Sequence, residues 1–439
     1  MKIIAHKASL AGLVGLVVVG VAGEAAAAGF QLREQSAEGL ANAFAGSAAK
    51  ASSPVVMWSN PAAMTLLHGH QIAGSLTWIA PQARFDGTGR SALRTSTGFK
   101  VGGDAIDDAA VGANYAMYSW SNDLKFGLAV TAPFGLRSSY PADWNGRYFG
   151  LASSVTSINV NPNVAFRVNK NLSVGAGVSV QWFEADLSGA MNQNAICAQL
   201  ASSGRCSSAL IGRLPDGWLR VKGDDIAVGF NVGALWEFSP QTRVGLAYRS
   251  AIRHNLQGDA TTAGTLASAY RPSGKIHADF TSPDTATASF YHAFDDKWAV
   301  MGDVQWTGWS RFQDLNVYYD ANGGLVTGTH EGWRDTWFFS LGADYKWKPG
   351  HTVHVGVAYD MGAIPETSLR TPRIPDADRI WLSTGYTWEM NDNLRLSLGY
   401  THIFAEKADI ALSEAALGSL NGKYTGSADI LSTGFVYKF

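Results

Sequence analysis

The sequence has little charge and, beyond its first residues, no long apolar run. Charged residues make up 16% of the 439 residues, with 34 basic against 36 acidic side chains. Because the basic residues form no run, the sequence does not indicate a nucleic-acid partner. After residue 28 no stretch of 18 apolar residues occurs, which excludes membrane-spanning helices. Membrane-spanning β-strands are still possible, since only every second residue of such a strand has to be apolar.

Motifs for catalysis and metal binding are also missing. The sequence has two cysteines, no Gly-x-Ser-x-Gly and no His-Glu-x-x-His, the motifs of many serine hydrolases and zinc proteases. Asp376 and Asp378 stand beside Arg379, but two carboxylates and an arginine more often form an ion pair in a loop. We therefore expect no enzyme, no cofactor and no metal, with a membrane-bound lipase or protease as the alternative.

Aromatic residues and glycine are abundant, with 15 Trp, 15 Tyr, 20 Phe and 48 Gly. This composition suits a membrane barrel with aromatic girdles and closely packed backbone. Residues 1–28 have the pattern of a signal peptide, with Lys2 and Lys7 before an apolar run and small residues before Gly29. An uncleaved anchor is the alternative, but the apolar run is shorter than the roughly 20 residues that a spanning helix needs.

Most of the chain after residue 68 alternates between apolar and polar residues. Residues 394–401 read Leu-Arg-Leu-Ser-Leu-Gly-Tyr-Thr, and residues 124–131 and 352–359 alternate in the same way. A period of two predicts β-strands. The polar face of the last of these strands includes His354, which we expect in a polar network rather than as a catalytic base. Alternation also fits a soluble sandwich, and the signal peptide and aromatic content favour the barrel.

Six short polar turns give the number of strands. They begin at residues 121, 169, 239, 295, 348 and 391, and each interval between them leaves room for two strands and a longer loop. Short turns on one side and long loops on the other are typical of outer-membrane barrels. Seven hairpins separated by six turns predict an all-β fold, a 14-stranded antiparallel transmembrane β-barrel over residues 69–439. Its aromatic end at Phe439 is similar to the insertion signal of bacterial outer-membrane proteins, so barrel-insertion machinery is an expected partner.

Residues 29–68 differ in composition from the barrel and are predicted to form a small hatch (plug) inside the lumen. They are rich in alanine, and residues 36–49 are expected to form one or two short helices with Leu40 and Phe44 packed inward.

The hatch is expected to join the barrel at a corner formed by Asn60, Pro61 and Ala62. Proline fixes φ and asparagine suits a turn, and a plain linker turn is the alternative.

The third predicted strand ends at a sequence that weakens strand pairing. Residues 132–135 read Ala-Pro-Phe-Gly; Pro133 cannot donate a ladder hydrogen bond, and Gly135 weakens the strand. A kink here would open a gap in the barrel wall. The alternative is a strand that ends at an ordinary loop.

Both cysteines, Cys197 and Cys206, fall in the long loop of residues 191–218. A secreted protein exposes such a loop to an oxidising compartment, which predicts a disulfide worth about 2 to 3 kcal/mol in the chain-entropy model. A metal pair is the weaker alternative because no histidine or third cysteine lies nearby.

Several short motifs along the chain resemble the FadL/TodX/XylN family of outer-membrane transporters for long-chain fatty acids and other hydrophobic compounds. Singly they are weak, but their order and spacing make a strong pattern over the whole mature chain. They are Gly29-Phe30-Gln31-Leu32, Gly39-Leu40, Ala43-Phe44-Ala45-Gly46, Asn60-Pro61-Ala62, His330-Glu331-Gly332-Trp333-Arg334-Asp335 and Ile374-Pro375-Asp376-Ala377-Asp378-Arg379.

The resemblance implies a monomeric barrel in the outer membrane of a Gram-negative bacterium, surrounded by lipid and lipopolysaccharide and closed by its hatch. Substrate would be captured in an extracellular apolar groove, reach a pocket that includes Phe30, Leu32 and Phe134, and leave sideways through the gap at residues 132–135. The alternative for Phe30 and Leu32 is that they only fill the core of the hatch. A polar porin is a different-class alternative that the hatch disfavours.

For a fatty acid, a cation near the pocket would bind the carboxylate, and Arg334 is the residue we expect there. A salt bridge to Glu331 or Asp335 is the alternative role of Arg334. Glu184 stands where the resemblance implies a basic residue in fatty-acid transporters, and this difference favours an aromatic or alkane substrate as the alternative.

Overall fold

The computed structural model describes residues 29–439, so the predicted signal peptide, residues 1–28, lies outside the described residues. Twenty strand segments form one sheet. The last segment pairs antiparallel with the first, from Gln71–Lys438 to Arg90–Ser419, and so closes the sheet into a barrel.

The strands are β1 (Gln71–Arg90), β2 (Ala109–Ser119), β3 (Leu124–Thr131), β4 (Gly135–Ser139), β5 (Ala152–Arg167), β6 (Leu172–Met191), β7 (Gly217–Ser239), β8 (Thr242–Arg249), β9 (Ile252–Ala263), β10 (Gly274–Ser282), β11 (Thr285–Ala293), β12 (Trp298–Thr307), β13 (Asp314–Tyr319), β14 (Leu325–His330), β15 (Thr336–Lys348), β16 (His351–Asp360), β17 (Arg379–Glu389), β18 (Leu394–Ala405), β19 (Ala408–Glu414) and β20 (Gly418–Lys438). The helices are α1 (Ala37–Ala41), α2 (Val56–Ser59), α3 (Gln193–Ala201) and α4 (Thr265–Tyr270), and 3₁₀ turns cover Pro61–Leu66, Ser208–Leu210 and Trp309–Arg311. None of the helices within residues 29–439 is long and apolar enough to cross a membrane.

The twenty segments make fourteen barrel strands. Six barrel strands are each interrupted once and contain two segments: β3 with β4, β8 with β9, β10 with β11, β12 with β13, β14 with β15, and β18 with β19. The other eight run without a break, which confirms the predicted 14-stranded antiparallel barrel. Each of the six predicted short turns joins two consecutive barrel strands.

The apolar face of each strand points outward, as expected for a wall that faces lipid. In β16, Val355 and Val357 are 49% and 42% exposed, whereas His354 and Ala358 are 2% and 3% exposed. A soluble sandwich would show the opposite burial. The His354 ring bonds Asp344 and Thr387 in the lumen, at 2.7 and 2.8 Å, as part of a polar network.

Residues 29–70, here called the N-terminal segment, pack against the inner face of the barrel. Helix α1 begins after Ser36, whose Oγ accepts a hydrogen bond from the Gly39 N–H at 3.0 Å. Leu40 is fully buried, and the half-buried ring of Phe44 lies edge-on to Trp381.

The predicted corner lies at the start of the 3₁₀ turn that leads to β1. Asn60 Oδ1 accepts a hydrogen bond from the Ala62 N–H at 3.1 Å, and Pro61 takes the first position of the turn. The Asn60 amide also donates to the carbonyl of Ala234 on β7 at 3.0 Å. Asn60 therefore both turns the chain and ties it to the wall.

The two cysteines are joined in a disulfide that links the middle of α3 to the chain that follows it. Helix α3 is also tied to α4, because Gln193 Oε1 accepts hydrogen bonds from the backbone N–H groups of Leu266 and Ala267. The long loop is therefore held in a defined position against α4.

Asp303 on β12 holds the middle of the N-terminal segment. Its carboxylate accepts hydrogen bonds from the N–H groups of Gly46 and Ser47, at 2.7 and 3.1 Å, and from the hydroxyls of Ser47 and Ser289. Hydrogen bonds to a charged acceptor are the stronger class, so this carboxylate is a main anchor of the segment.

The substitution Asp303→Asn should loosen this part of the segment, because a neutral amide accepts these bonds less strongly. We expect the opening free energy of the Gly46 and Ser47 amides to fall by about 2 kcal/mol and their exchange to accelerate roughly thirtyfold. Hydrogen–deuterium exchange of the detergent-solubilised protein measures this. Asp295→Asn is the matched control, since Asp295 also accepts two backbone N–H bonds but lies in an exposed turn. Equal exchange at residues 46 and 47 in wild type and Asp303→Asn would contradict the anchoring role.

Candidate functional site

Phe30 lies inside a cage of six aromatic rings. Its side chain is 3% exposed, and the distances between ring centroids run from 5.0 Å to Trp309 to 6.5 Å to Phe183. A Cβ atom at Gly29 would come within 2.5 Å of the Trp333 ring, so the residue before Phe30 has to lack a side chain. The cage rings are Phe134, Phe183, Phe280, Trp309, Phe312 and Trp333.

The backbone beside Phe30 is held by the interruption between β3 and β4. Leu32 N–H donates to the Pro133 carbonyl at 2.8 Å, and Gly135 N–H donates to the Phe30 carbonyl at 3.0 Å. The interruption also brings Phe134 inward, where its ring is buried against Phe30. Residues 30–32 therefore act as a short extra strand along the kinked part of the wall.

The same interruption leaves part of the wall unpaired. Strand β2 pairs with β3 only as far as Asn114–Val130, although residues 109–113 of β2 still pair with β1. Contact returns further along, where Ile106 forms a bridge with Ser138. Within residues 29–439 the wall therefore has an opening between these two pairs, and residues 132–134 lie beside it.

An apolar groove with a volume of about 700 Å³ lies on the loop side of the cage. It runs between α3, the end of β6, strands β13 and β14, and residues 414–417. Val221 and Val317 line this groove and also belong to the buried apolar cluster around Phe30. The groove and the cluster around Phe30 therefore share part of their lining.

Arg373 supplies a positive charge in this groove. One Nη donates to the Ala152 carbonyl at 3.2 Å and to Ser153 Oγ at 3.0 Å, and no carboxylate of the described chain forms an ion pair with it. Burial lowers the pKa of Arg373 to about 10, against a smaller opposing effect of the Glu331 carboxylate. Arg373 is thus a partly buried cation that forms no salt bridge with a carboxylate of the described residues, although it is influenced by the charge of Glu331.

Among the carboxylates, Glu331 has the largest effect on the pKa of Arg373. It is 2% exposed and accepts a hydrogen bond from Trp333 Nε1 at 3.2 Å. Burial raises its pKa to about 7, and the positive charge of Arg373 opposes that rise. The Glu331 carboxyl therefore changes charge near neutral pH, close to the cage.

Arg334, the cation expected from the sequence, lies elsewhere. Its side chain is 45% exposed, its Nε donates to the Gly362 carbonyl at 3.2 Å, and its nearest carboxylate is Asp378 at 3.8 Å. The alternative pairing with Glu331 or Asp335 does not occur, because Asp335 accepts from Trp306 and Ser310 instead. The expected pair of Asp376 with Arg379 is present at 2.6 Å.

Two further residues lie outside the cage. Leu32 is buried in a separate apolar cluster with Phe338 and Trp381. Glu184 forms an ion pair with Lys222 at 3.0 Å and is not part of the buried cluster that contains its neighbour Phe183. Strand alternation places Glu184 on the outward face, so it is not evidence for a neutral pocket.

Most of the cage was not found from the sequence. Trp309, Phe312 and Trp333 lie in the breaks between strand segments, where no periodic pattern marks them. Phe183 and Phe280 are inward residues of β6 and β10. These two could have been predicted, because each is a large aromatic residue on a strand face that is otherwise small or polar.

The comparisons with known proteins agree with this fold. A model of the family described as "Outer membrane protein transport protein (OMPP1/FadL/TodX)" matches residues 18–439. The chain is similar to the long-chain fatty acid transport protein of Escherichia coli O6:H1, with 28% identity over 456 aligned residues that cover 100% of this chain and 99% of the relative.

Two solved structures share the architecture. The crystal structure of a Pseudomonas aeruginosa FadL homologue has a TM-score of 0.86 at 24% identity, covering 94% of this chain and 100% of the other. The toluene transporter TodX of Pseudomonas putida has a TM-score of 0.67 at 16% identity, covering 92% and 98%. At these identities the likeness establishes the fold alone. The family match covers the complete described barrel, and the chain therefore belongs to the OMPP1/FadL/TodX family of transport proteins, β-barrels of the Gram-negative outer membrane.

Proposed function

We propose that this protein takes up long-chain carboxylates across the outer membrane. The ligand enters the apolar groove, moves its chain into the aromatic cage in place of Phe30, and leaves through the opening beside β2. Residues 29–68 of the N-terminal segment act as the hatch that keeps the lumen closed. The observation that carries the proposal is that Phe30 fills the cage while its own backbone pairs with the kink at the opening.

This arrangement couples ligand binding to the state of the wall. Exposing a buried Phe costs about 1.5 to 3 kcal/mol, and each buried methylene returns about 0.8 kcal/mol. A chain of about four methylene groups therefore offsets the displacement of Phe30. Short acids would not displace it, which fits a transporter for long chains.

Sideways release suits such a ligand. An acyl chain that crossed an aqueous pore would expose apolar area at about 25 cal/mol per Å². In this proposal the ligand leaves through the opening between Asn114–Val130 and Ile106–Ser138 and enters the membrane directly. The kink residues Pro133 and Gly135 form one edge of this route.

Arg373 favours an anionic ligand. A partly buried guanidinium without an ion pair is a strong site for a carboxylate, which it can bind with two parallel hydrogen bonds. Its place in the groove puts the head group outside the cage while the chain points toward Phe30. In this proposal Arg373 replaces Arg334 as the head-group residue.

A neutral aromatic hydrocarbon is the second candidate ligand. The cage consists of aromatic rings, which stack well with an aromatic guest, and one structural neighbour is a toluene transporter. Binding of toluene but not of a long-chain carboxylate would favour this candidate.

Arg373→Gln should weaken binding of the fluorescent long-chain carboxylate cis-parinarate by about tenfold, because a charge-assisted pair is lost. Binding of a long-chain alcohol should not change. Fluorescence titration of the purified protein measures both affinities. Arg334→Gln is the matched control and should bind like wild type; a loss in Arg334→Gln with none in Arg373→Gln would reverse the assignment.

Binding should also depend on pH through Glu331. Above a pKa of about 7 this carboxyl is negative and competes with the ligand for Arg373. The affinity for a long-chain alkyl sulfonate, whose charge is fixed, should therefore fall as the pH rises from about 6 to about 8. Displacement of cis-parinarate at each pH gives this affinity. Glu331→Gln should remove the dependence, whereas Glu366→Gln, at an exposed position, should retain it. The same slope in wild type and Glu331→Gln would refute the role of Glu331.

A bulky residue at Gly135 should obstruct the opening. We expect Gly135→Leu to lower uptake of a radiolabelled long-chain fatty acid by cells. The barrel itself should fold normally, as shown by the usual change in its gel mobility on heating. Gly274→Leu is the control, because Gly274 also begins a strand segment and a Cβ there would only touch Tyr319, at 3.5 Å. Unchanged uptake in Gly135→Leu would remove this opening from the route.

A further inference from the structure

Four neighbouring barrel strands are interrupted one after another. The breaks are residues 250–251, 283–284, 308–313 and 331–335. On one side of the breaks, β8, β11, β12 and β15 pair in sequence. On the other side, β9, β10, β13 and β14 pair in sequence. A crease therefore runs across this part of the wall.

The four strands β9, β10, β13 and β14 form a leaf with one attached edge. The leaf joins the rest of the sheet through β9, which pairs with residues 218–224 of β7. At the other edge, β14 pairs only with β13 among the described strands. A leaf that is attached along one edge and creased at its base can change its angle with little loss of strand pairing.

The leaf and the crease together carry much of the cage. Phe280 and Ile276 on β10 and Leu256 on β9 are buried in the cluster around Phe30. Trp309 and Phe312 come from the break between β12 and β13. Any change in the angle of the leaf would therefore move one side of the cage relative to Phe134 and Phe183.

Asp284 fastens the crease. Its carboxylate is buried and accepts two hydrogen bonds from Arg311, at 2.8 and 2.9 Å, and one from the Tyr248 hydroxyl at 3.0 Å. Its backbone carbonyl accepts from the Gly308 N–H at 2.9 Å. One residue thus joins β8, the break before β11, and the turn that carries Trp309 and Phe312.

Gly308 shows how closely these parts meet. A Cβ atom at Gly308 would lie 2.3 Å from Asp284 Oδ1, so the turn reaches the carboxylate only because this residue has no side chain. Arg311 completes the contact from the outer side, where it is 46% exposed.

We propose that Asp284 is a positioning residue for the ligand pocket, which holds the leaf and the Trp309 turn at the angle that closes the cage. Release of the Asp284–Arg311 pair lets the leaf tilt and widens the cage. This inference rests on the proposed function only in taking the cage as the ligand pocket; the mechanical role of Asp284 is independent of what binds there.

The test compares Asp284→Asn with wild type in the full-length, detergent-solubilised protein. Amides of β9, β10 and β13 should exchange faster in the variant, while those of β8, β11 and β12 should not change. The affinity for cis-parinarate should fall by about tenfold, because loss of the two hydrogen bonds between Arg311 and Asp284 leaves the cage less well ordered. Arg311→Gln, alone or combined with Asp284→Asn, should show the same loss and no further one, as expected for two residues that act as one unit.

Asp279→Asn is the matched control. Asp279 lies on β10 in the same leaf and faces Arg253 at 3.5 Å, but both side chains are exposed and away from the crease. This variant should retain wild-type exchange and affinity. Faster exchange throughout the barrel, or no change in the leaf, would overturn the proposal. If wild type does not bind cis-parinarate, the proposed function fails, and the leaf-specific exchange still decides the role of Asp284.

Discussion

Backbone hydrogen bonds inside a membrane have to be satisfied by the protein, because lipid offers no partners. The barrel meets this requirement by closing β20 onto β1. At the break between β3 and β4 the partners come from the N-terminal segment, which donates from Leu32 and accepts at Phe30. Residues 30–32 are therefore part of the wall's hydrogen bonding. Any movement of these residues has to change the wall at the opening.

The strands, their number and the kink could be predicted from the sequence because each has a local cause. A period of two appears wherever one face meets lipid and the other the lumen. Pro133 removes a donor from the ladder wherever it lies, so the break at residues 132–134 is a local property. The role of Asn60 also follows from local chemistry, since its side chain turns the chain by accepting from the Ala62 N–H.

The position of Arg373, the proposed head-group residue, and most of the cage could not be predicted because they depend on distant parts of the chain. Arg373 enters the groove only through the path of the loop between β16 and β17, which has no periodic pattern. Trp333 and Arg334 are adjacent in sequence, yet one is buried in the cage and the other half exposed. The outward direction of Glu184 could be predicted from the sequence, because it follows the inward-facing Phe183 in an alternating strand.

The contacts of the N-terminal segment are unequal along its length, and this bears on the route. Its middle and end are tied by Asp303, by a 2.8 Å ion pair of Lys50 with Asp344, and by Asn60. Hydrogen bonds to charged groups contribute about 1.5 to 3 kcal/mol each, whereas the two backbone bonds of residues 30–32 contribute about 0.5 to 1.5 kcal/mol each. Burial of an acyl chain can offset the second set without disturbing the first. We therefore expect ligand to displace only residues 30–32 and to leave the rest of the segment in place, which favours the proposed exit through the opening beside β2.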